Sequence, residues 1–453
     1  MTPNPPVSTT ITPPPRHAAS RVSPPAWLRT VAIVIAVALF VGLGVSTVYR
    51  AGPYQVEGGH SVGKKLARWE KRVGFSLDES GNKFWGSKVH RCDFTVYTAA
   101  GSAVLNGTDI YQAHNIRDWC YIYPPLFAIV MAPFALLPTF WASLAWYILS
   151  VVLVACTARM CVSLIRTGLN FAGDPFVLYV IPLLLVVLPL MSALARGQAT
   201  PVLLWLFTAG LFYAWKRQDW RGGVCFAGGI LLKAFPVVLL AYFVWRKRWR
   251  FVAATLTATV IGALIVPSAV YGWQGNISYL KEWVSKVGKP AAEMESERTD
   301  NPLYEQLLSM ELTRNQSFEA VFARVFRTNA ARPIAVGLGL AMAAAMLWAD
   351  WRTRGKGDLP LLSSGVVWML LIVPISWSHY FMLLLLPLTV LVVMAVANDD
   401  RVIKLSARNA LIFYAIAALA LGGSKSLQFY GPLCWGALGL WLALLSAARR
   451  SDA

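Results

Sequence analysis

Residues 222–248 read GGVCFAGGILLKAFPVVLLAYFVWRKR. The run is long enough for one membrane crossing, yet Lys233 and Pro236 interrupt it near the middle. A crossing helix needs ~20 apolar residues, because a core about 30 Å thick is climbed at ~1.5 Å per residue. Basic residues flank the run at both ends: Lys216-Arg217 with Arg221 before it, and Arg246-Lys247-Arg248 with Arg250 after it. Short basic loops collect on the cytoplasmic side, so the chain must return to the side it left. The segment therefore crosses twice or re-enters, with Lys233-Ala234-Phe235-Pro236 at its turn. Its halves, 222–232 and 234–245, are each too short to cross, which leaves the apex at membrane depth. Irregular backbone is tolerated there only when it lines a cavity or is buried in protein. A hydrated cleft with Lys233 in its floor or wall is the expectation.

The rest of the chain fits a polytopic membrane protein. Its 453 residues are 57% hydrophobic and 14% charged, with mean hydropathy +0.54. A soluble domain is about half apolar and a quarter charged. The apolar runs are continuous rather than alternating in ~10-residue units, which excludes a β-barrel. An all-α fold is predicted, with spans at 30–49, 140–165, 175–194, 199–215, 222–232, 234–245, 251–270, 332–350, 360–376, 380–397, 408–423 and 431–448. Residues 1–26, rich in Pro and Thr, read as a disordered tail; 27–453 read as one transmembrane domain. The formal charge of +19 does not argue for nucleic acid, because most Lys and Arg lie in short loops. The same basic loops, with Arg16, Arg21 and Arg29 at the start and Arg449-Arg450 at the end, place both termini in the cytoplasm. Parity then leaves two large external loops, 50–139 and 271–331, with 121–138 as a helix lying on or dipping into the outer surface. Loop 50–139 carries an extra basic set, Lys64, Lys65, Arg68, Lys71, Arg72, Lys83 and Lys88, suited to anionic headgroups or an anionic substrate.

Every chemically suggestive residue falls on the external side of this map, and each admits a plainer reading. Asp93 has the chemistry of a base that takes the proton of an attacking hydroxyl, and the position of a helix N-cap. His379 stands at the boundary of two apolar spans beside Trp377 and Tyr380; it suits a phosphate, a sugar or a proton, or interfacial packing. Lys233 in an apolar hairpin calls for an anion, unless it snorkels to headgroups. Arg196 sits in a short external turn against the general charge bias, as a phosphate fork would or as a stray residue. Gln198, Tyr97, Tyr123, Trp377, Asn315 and Gln316 suit sugar or acceptor contacts, while aromatic residues also line membrane interfaces. Asp109 and Tyr111 read as a turn brace. Cys92 and Cys120 either close a disulfide around this region or remain thiols. No Cys/His spacing fits a zinc site, and no metal or other cofactor is expected.

Asp93-Phe94-Thr95-Val96-Tyr97, Gly107-Thr108-Asp109-Ile110-Tyr111, Tyr123-Pro124-Pro125, Gly197-Gln198, Lys233-Ala234-Phe235-Pro236, Asn315-Gln316-Ser317 and Ser376-Trp377-Ser378-His379 occur in that order. Together they resemble the polyprenol-phosphate-mannose-dependent mannosyltransferases of glycosyltransferase family 87. The resemblance implies a GT-C-like bundle of about twelve helices with surface-lying helices in the first external loop. It also implies a polyprenyl-phosphate-sugar donor, a glycolipid or glycan acceptor and a catalytic acid in that loop, at Asp93. The expected reaction is inverting transfer of mannose on the extracytoplasmic side. A donor carrying a pentofuranose such as arabinofuranose is the alternative within enzymes. A transporter or lipid flippase is the alternative from another class, although only one broken segment appears where two matching ones are usual.

Overall fold

The computed structural model describes residues 25–51, 92–115, 119–288, 312–328, 330–353 and 358–450. Most of the tail 1–26, the basic residues Lys64 to Lys88 and much of loop 271–331 lie outside the described residues. Among those described, the regular elements are helices, with two isolated β-bridges and no strand. Helix α1 (Ala26–Ala51) leads to α2 (Phe94–Asn106), α3 (Pro125–Ala135) and α4 (Thr139–Gly168). A stretch bent by 64° follows as α5 (Phe176–Leu185) and α6 (Val187–Ala195). Next come α7 (Thr200–Trp215), α8 (Asp219–Leu232), α9 (Phe235–Trp245) and α10 (Trp249–Val287). The chain ends through α11 (Phe318–Phe326), α12 (Ala331–Thr353), α13 (Asp358–Ile372), α14 (Ser378–Ala397), α15 (Arg401–Gly423), α16 (Lys425–Phe429) and α17 (Pro432–Arg449).

The all-α membrane architecture is as expected; helix length and composition alone do not reach the count of about twelve crossings. Seven helices are long and apolar enough to span, or eight if the bent pair is one span. Helices α7, α9 and α13, counted among the predicted spans, are apolar but only 10–17 residues long, as is α3, which was expected at the outer surface rather than across the membrane. Helix α10 is the opposite case. A straight helix of its 39 residues would be about 58 Å long, nearly twice the hydrocarbon core. Gly272 breaks it at φ 72°, ψ 163°. Asn276 Nδ2 then reaches back to the carbonyls of Ala263 (3.0 Å) and Leu264 (3.1 Å), which requires the second half to fold against the first. The predicted loop 271–331 therefore begins as helix. Helix α15 also starts earlier than the predicted 408, because Asp400 caps it by accepting from the Val402 N–H at 2.7 Å.

Helix α14 is the centre of the bundle. In its apolar window 89% of residues are buried, against 17% for α1 at the periphery. Helix α8 packs through glycine: a Cβ on Gly222 would lie 2.9 Å from Ala214 N and from Gly210 O, both on α7. Small faces of this kind let helices approach to backbone contact. Lengthwise, α7 begins beside Gln198 and ends at Trp215, about 24 Å away. The basic turns gather at that far end. Arg246 pairs with Asp350 and Asp358, Arg248 with Asp219, and Arg450 with Asp400 at 3.2 Å. Asp93, Arg196 and Lys233 occupy the near end.

Candidate active-site cleft

The site is built on the elbow Arg196-Gly197-Gln198. Helix α6 ends with Gly197 in the left-handed conformation, φ +60°. The N–H of Gly197 bonds to Leu194 O and that of Gln198 to Ala193 O, both at 3.0 Å, the Schellman pattern of a helix end. A Cβ on Gly197 would also lie 2.7 Å from Phe94 Cβ and 3.0 Å from Cys92 Sγ. Glycine is thus required both for the turn and for the approach of the chain that carries Asp93. That approach is fastened by Asp93 N–H to Arg196 O at 2.9 Å, Cys92 Sγ to the same carbonyl at 3.1 Å, and Trp146 Nε1 to Gly197 O at 3.0 Å.

Asp93 occupies the N-cap position of α2, yet its side chain makes no capping hydrogen bond. Instead Oδ2 accepts from Gln198 Nε2 at 2.5 Å. The plain N-cap reading fails on this point. Gln198 Oε1 in turn accepts from the Tyr97 hydroxyl at 3.4 Å, and Tyr97 and Tyr123 hydroxyls are 2.9 Å apart. Tyr123 is held from behind: Tyr111 OH donates to its carbonyl at 3.1 Å, and Asp109 Oδ1 accepts from Tyr111 N–H at 2.9 Å. The sequence 107–111 is therefore the end of α2, with Gly107 at φ +66°, followed by a brace for Tyr123.

The opposite wall comes from the break after α8 and the start of α14. Lys233 leaves the helix in extended conformation, φ −147°, ψ 120°. Its ammonium donates to Tyr380 OH at 3.0 Å and lies 4.1 Å from that ring's centroid. Phe235 stacks on Tyr380 with ring centroids 5.1 Å apart, which helps to fix the ring. His379 is buried and its Nε2 has no hydrogen-bond partner. A bridge between Asn315 and Trp377, with Ser378 N–H to Arg314 O at 2.9 Å, brings Arg314 to the same wall.

These groups enclose a cavity of about 180 Å³ lined by Asp93, Val96, Tyr97, Trp119, Cys120, Ile122, Tyr123, Arg196, Gln198, Lys233, Arg314, Trp377, His379 and Tyr380. Of the residues singled out from sequence, Asn315 and Gln316 do not reach it. Asn315 Nδ2 donates to Pro374 O at 2.9 Å and its Oδ1 accepts from the N–H of Ser317 and Ser376. Gln316 Nε2 donates to Thr313 O (2.7 Å) and Gln428 O (3.1 Å), and its Oε1 accepts from Leu433 N–H. Both amides are spent on backbone, and they act as braces. Arg314 and Tyr380 were missed, although each adjoins a motif singled out above. Cys92 and Cys120 form no disulfide; burial pushes the Cys92 thiol up to about 12, so it stays protonated at neutral pH.

Burial raises the Asp93 carboxyl above its ordinary range, while Arg196, Lys233, the Gln198 amide and Arg314 pull the other way. Neither Asp93, Arg196 nor Lys233 forms an ion pair among the described residues. Also among the described residues, no three His, Cys, Asp or Glu side chains gather as a metal ion would require. The cleft offers a proton acceptor on one wall and cations on the others, in a space of sugar size.

The profile of glycosyltransferase family 87 matches residues 121–374. The chain is 27% identical over 336 residues to a "Polyprenol-phosphate-mannose-dependent alpha-(1-2)-phosphatidylinositol mannoside mannosyltransferase" of Mycobacterium tuberculosis, covering 69% of this chain and 73% of the relative. It is 26% identical over 343 residues to the protein of the same name in Mycolicibacterium smegmatis, covering 70% and 72%. No solved structure matches the chain. Arg196, Lys233 and Arg314 fall inside the profile match, whereas Asp93 and His379 lie outside it.

Proposed function

The chain belongs to glycosyltransferase family 87 and is a membrane glycosyltransferase, and from that premise we propose that it transfers mannose from a polyprenyl-phosphate donor to a lipid-borne acceptor hydroxyl on the extracytoplasmic side. Its relatives' names supply the donor and suggest an acceptor of the phosphatidylinositol mannoside kind. The observation that carries the reading is one cleft in which a carboxylate without an ion pair among the described residues faces Arg196 and Lys233.

In this reading the donor phosphate lies against Lys233 and Arg196, with the sugar between Asp93 and His379. The acceptor oxygen attacks C1 as Asp93 takes its proton, and the bond from C1 to the phosphate oxygen breaks. The electron pair leaves with the polyprenyl phosphate. Because that leaving group is a stable anion, no general acid is needed, and one carboxylate suffices where glycoside hydrolysis uses two. Cations preorganised in a poorly hydrated cleft stabilise the charge that develops on the phosphate. In-line displacement inverts C1, so a β-linked donor yields an α-linked product. The basic turns gathered at the far end of α7 and α9 support the external position.

Purified protein is to be incubated with labelled polyprenyl-phosphate-mannose and membrane lipid extract. The expected result is label in an α-mannosylated lipid, lost in Asp93→Asn. Transfer only from a pentofuranosyl donor, or label carried across vesicles without transfer, would overturn the reading.

A further inference from the structure

We infer that Gln198, Tyr97 and Tyr123 form a one-directional hydrogen-bond chain that positions Asp93 and sets its proton affinity, which makes Gln198 a positioning residue and not a sugar ligand. This rests on the proposed role of Asp93 and extends it. The direction follows from the donors. Asp93 Oδ2 can only accept as a carboxylate, so the atom of Gln198 2.5 Å away is the amide nitrogen. The amide oxygen then faces Tyr97 at 3.4 Å and must accept its proton. With its own proton committed, Tyr97 accepts from Tyr123 at 2.9 Å. Each bond polarises the next toward the carboxylate.

Both Gln198 and Tyr97 are buried. Gln198 is fixed by its backbone N–H to Ala193 O, and Tyr97 is ringed by Tyr123, Phe127 and Trp146. Both ends of the amide are thus engaged by protein groups, and turning it toward a sugar would break its bonds to Asp93 and Tyr97. Tyr123, at the free end of the chain, keeps an oxygen lone pair for the cleft.

Other groups act on Asp93 as well: Arg196 at the end of α6, Lys233 after α8, Arg314 before α11, and Cys92, Tyr97, Tyr123, His379 and Tyr380 around it. All but the one replaced remain in each single variant, so a shift reports the chain. The test is pH titration of the infrared carbonyl band of protonated Asp93, assigned by its loss in Asp93→Asn. In Gln198→Ala the titration moves about one unit higher, since a charge-assisted donor to the ionised form is lost. In Tyr97→Phe, which keeps the ring, it moves in the same direction by less. The acid limb of kcat/KM follows the band, with donor KM within about twofold of wild type. A band unmoved in both variants, or a donor KM that rises with the limb unmoved, overturns the inference. Wild-type turnover by Asp93→Asn would instead overturn the transferase mechanism, while the infrared shift still judges the chain.

Discussion

The two ends of α7 hold the molecule's charged clusters, and they are wired oppositely. At the far end two of the turn cations are met by protein carboxylates: Arg246 by Asp350 and Asp358, and Arg248 by Asp219. At the near end Asp93, Arg196 and Lys233 share a cavity without an ion pair among the described residues. Burying charges outside ion pairs is costly, and an anionic ligand at the near end would offset part of that cost. The far end is self-sufficient. The turns make the same contrast in backbone. Both ends close helices with a left-handed residue. The near end uses Gly197, where a Cβ would strike Phe94, and the far end uses Arg217 (φ +59°) and Lys247 (φ +53°). Exposed positions tolerate the ~1–2 kcal/mol cost of that conformation in a side-chain residue, and a cation there faces a helix C-terminus favourably.

The largest separation between the two ends comes from Asp93→Asn. Loss of a positioned base should lower turnover by about 10²- to 10⁴-fold. The same change should raise the melting temperature. Folding lifts the Asp93 pKa through burial, so ionised Asp93 destabilises the native state at pH values above its folded pKa. That penalty shrinks as pH falls between the folded and the ordinary carboxylate value, and is absent below both. Activity runs the other way, falling as pH drops through the folded value. Scanning calorimetry across pH beside initial rates checks both; an Asp93→Asn protein less stable than wild type at neutral pH would break the contrast. Next in size is Lys233→Met, which should weaken donor use by about 10- to 100-fold through loss of one charged contact, read as kcat/KM for the donor. Turnover within twofold of wild type would remove Lys233 from the phosphate site.

Hydropathy located the bundle well because long apolar runs have few alternatives. Predicted spans 30–49, 140–165 and 332–350 lie inside α1, α4 and α12. The break at Lys233 was legible because a charge and a proline fall together in an apolar run flanked by basic residues at both ends. What could not be read were distances across sequence. Helix α2 is short and made largely of small residues, so it carries no strong signal. The bridge from Asn315 to Trp377 is what brings Arg314 to the cleft, and no local pattern announces a pairing that far apart. The sequence offers Gln198 as a sugar contact, and nothing in it says that its amide meets Asp93. Asn315 and Gln316 are the same case: amides in a loop suggest ligands until their backbone partners are known.

At the far end the expected effects change kind. Arg246→Met leaves two half-buried carboxylates without their cation, which should cost about 1–3 kcal/mol and leave kcat of the folded protein unchanged. A fall in turnover without loss of stability would mean that the two ends are coupled.

The finest test compares the turns themselves. Gly197→Ala forces a Cβ to 2.7 Å from Phe94 in a backbone conformation that disfavours it, at about 1–3 kcal/mol. It should also slow turnover, since Asp93 hangs from the Arg196 carbonyl. Lys247→Ala keeps a side-chain residue in an equally left-handed turn and removes only a cation near a helix end, worth about 0.3–1 kcal/mol. Melting temperature and rate measured on the same preparations should therefore move together for Gly197→Ala and scarcely move for Lys247→Ala. Equal losses would mean that the turn's conformation, rather than the crowding of Phe94 and Cys92 against it, decides which residue each end can hold.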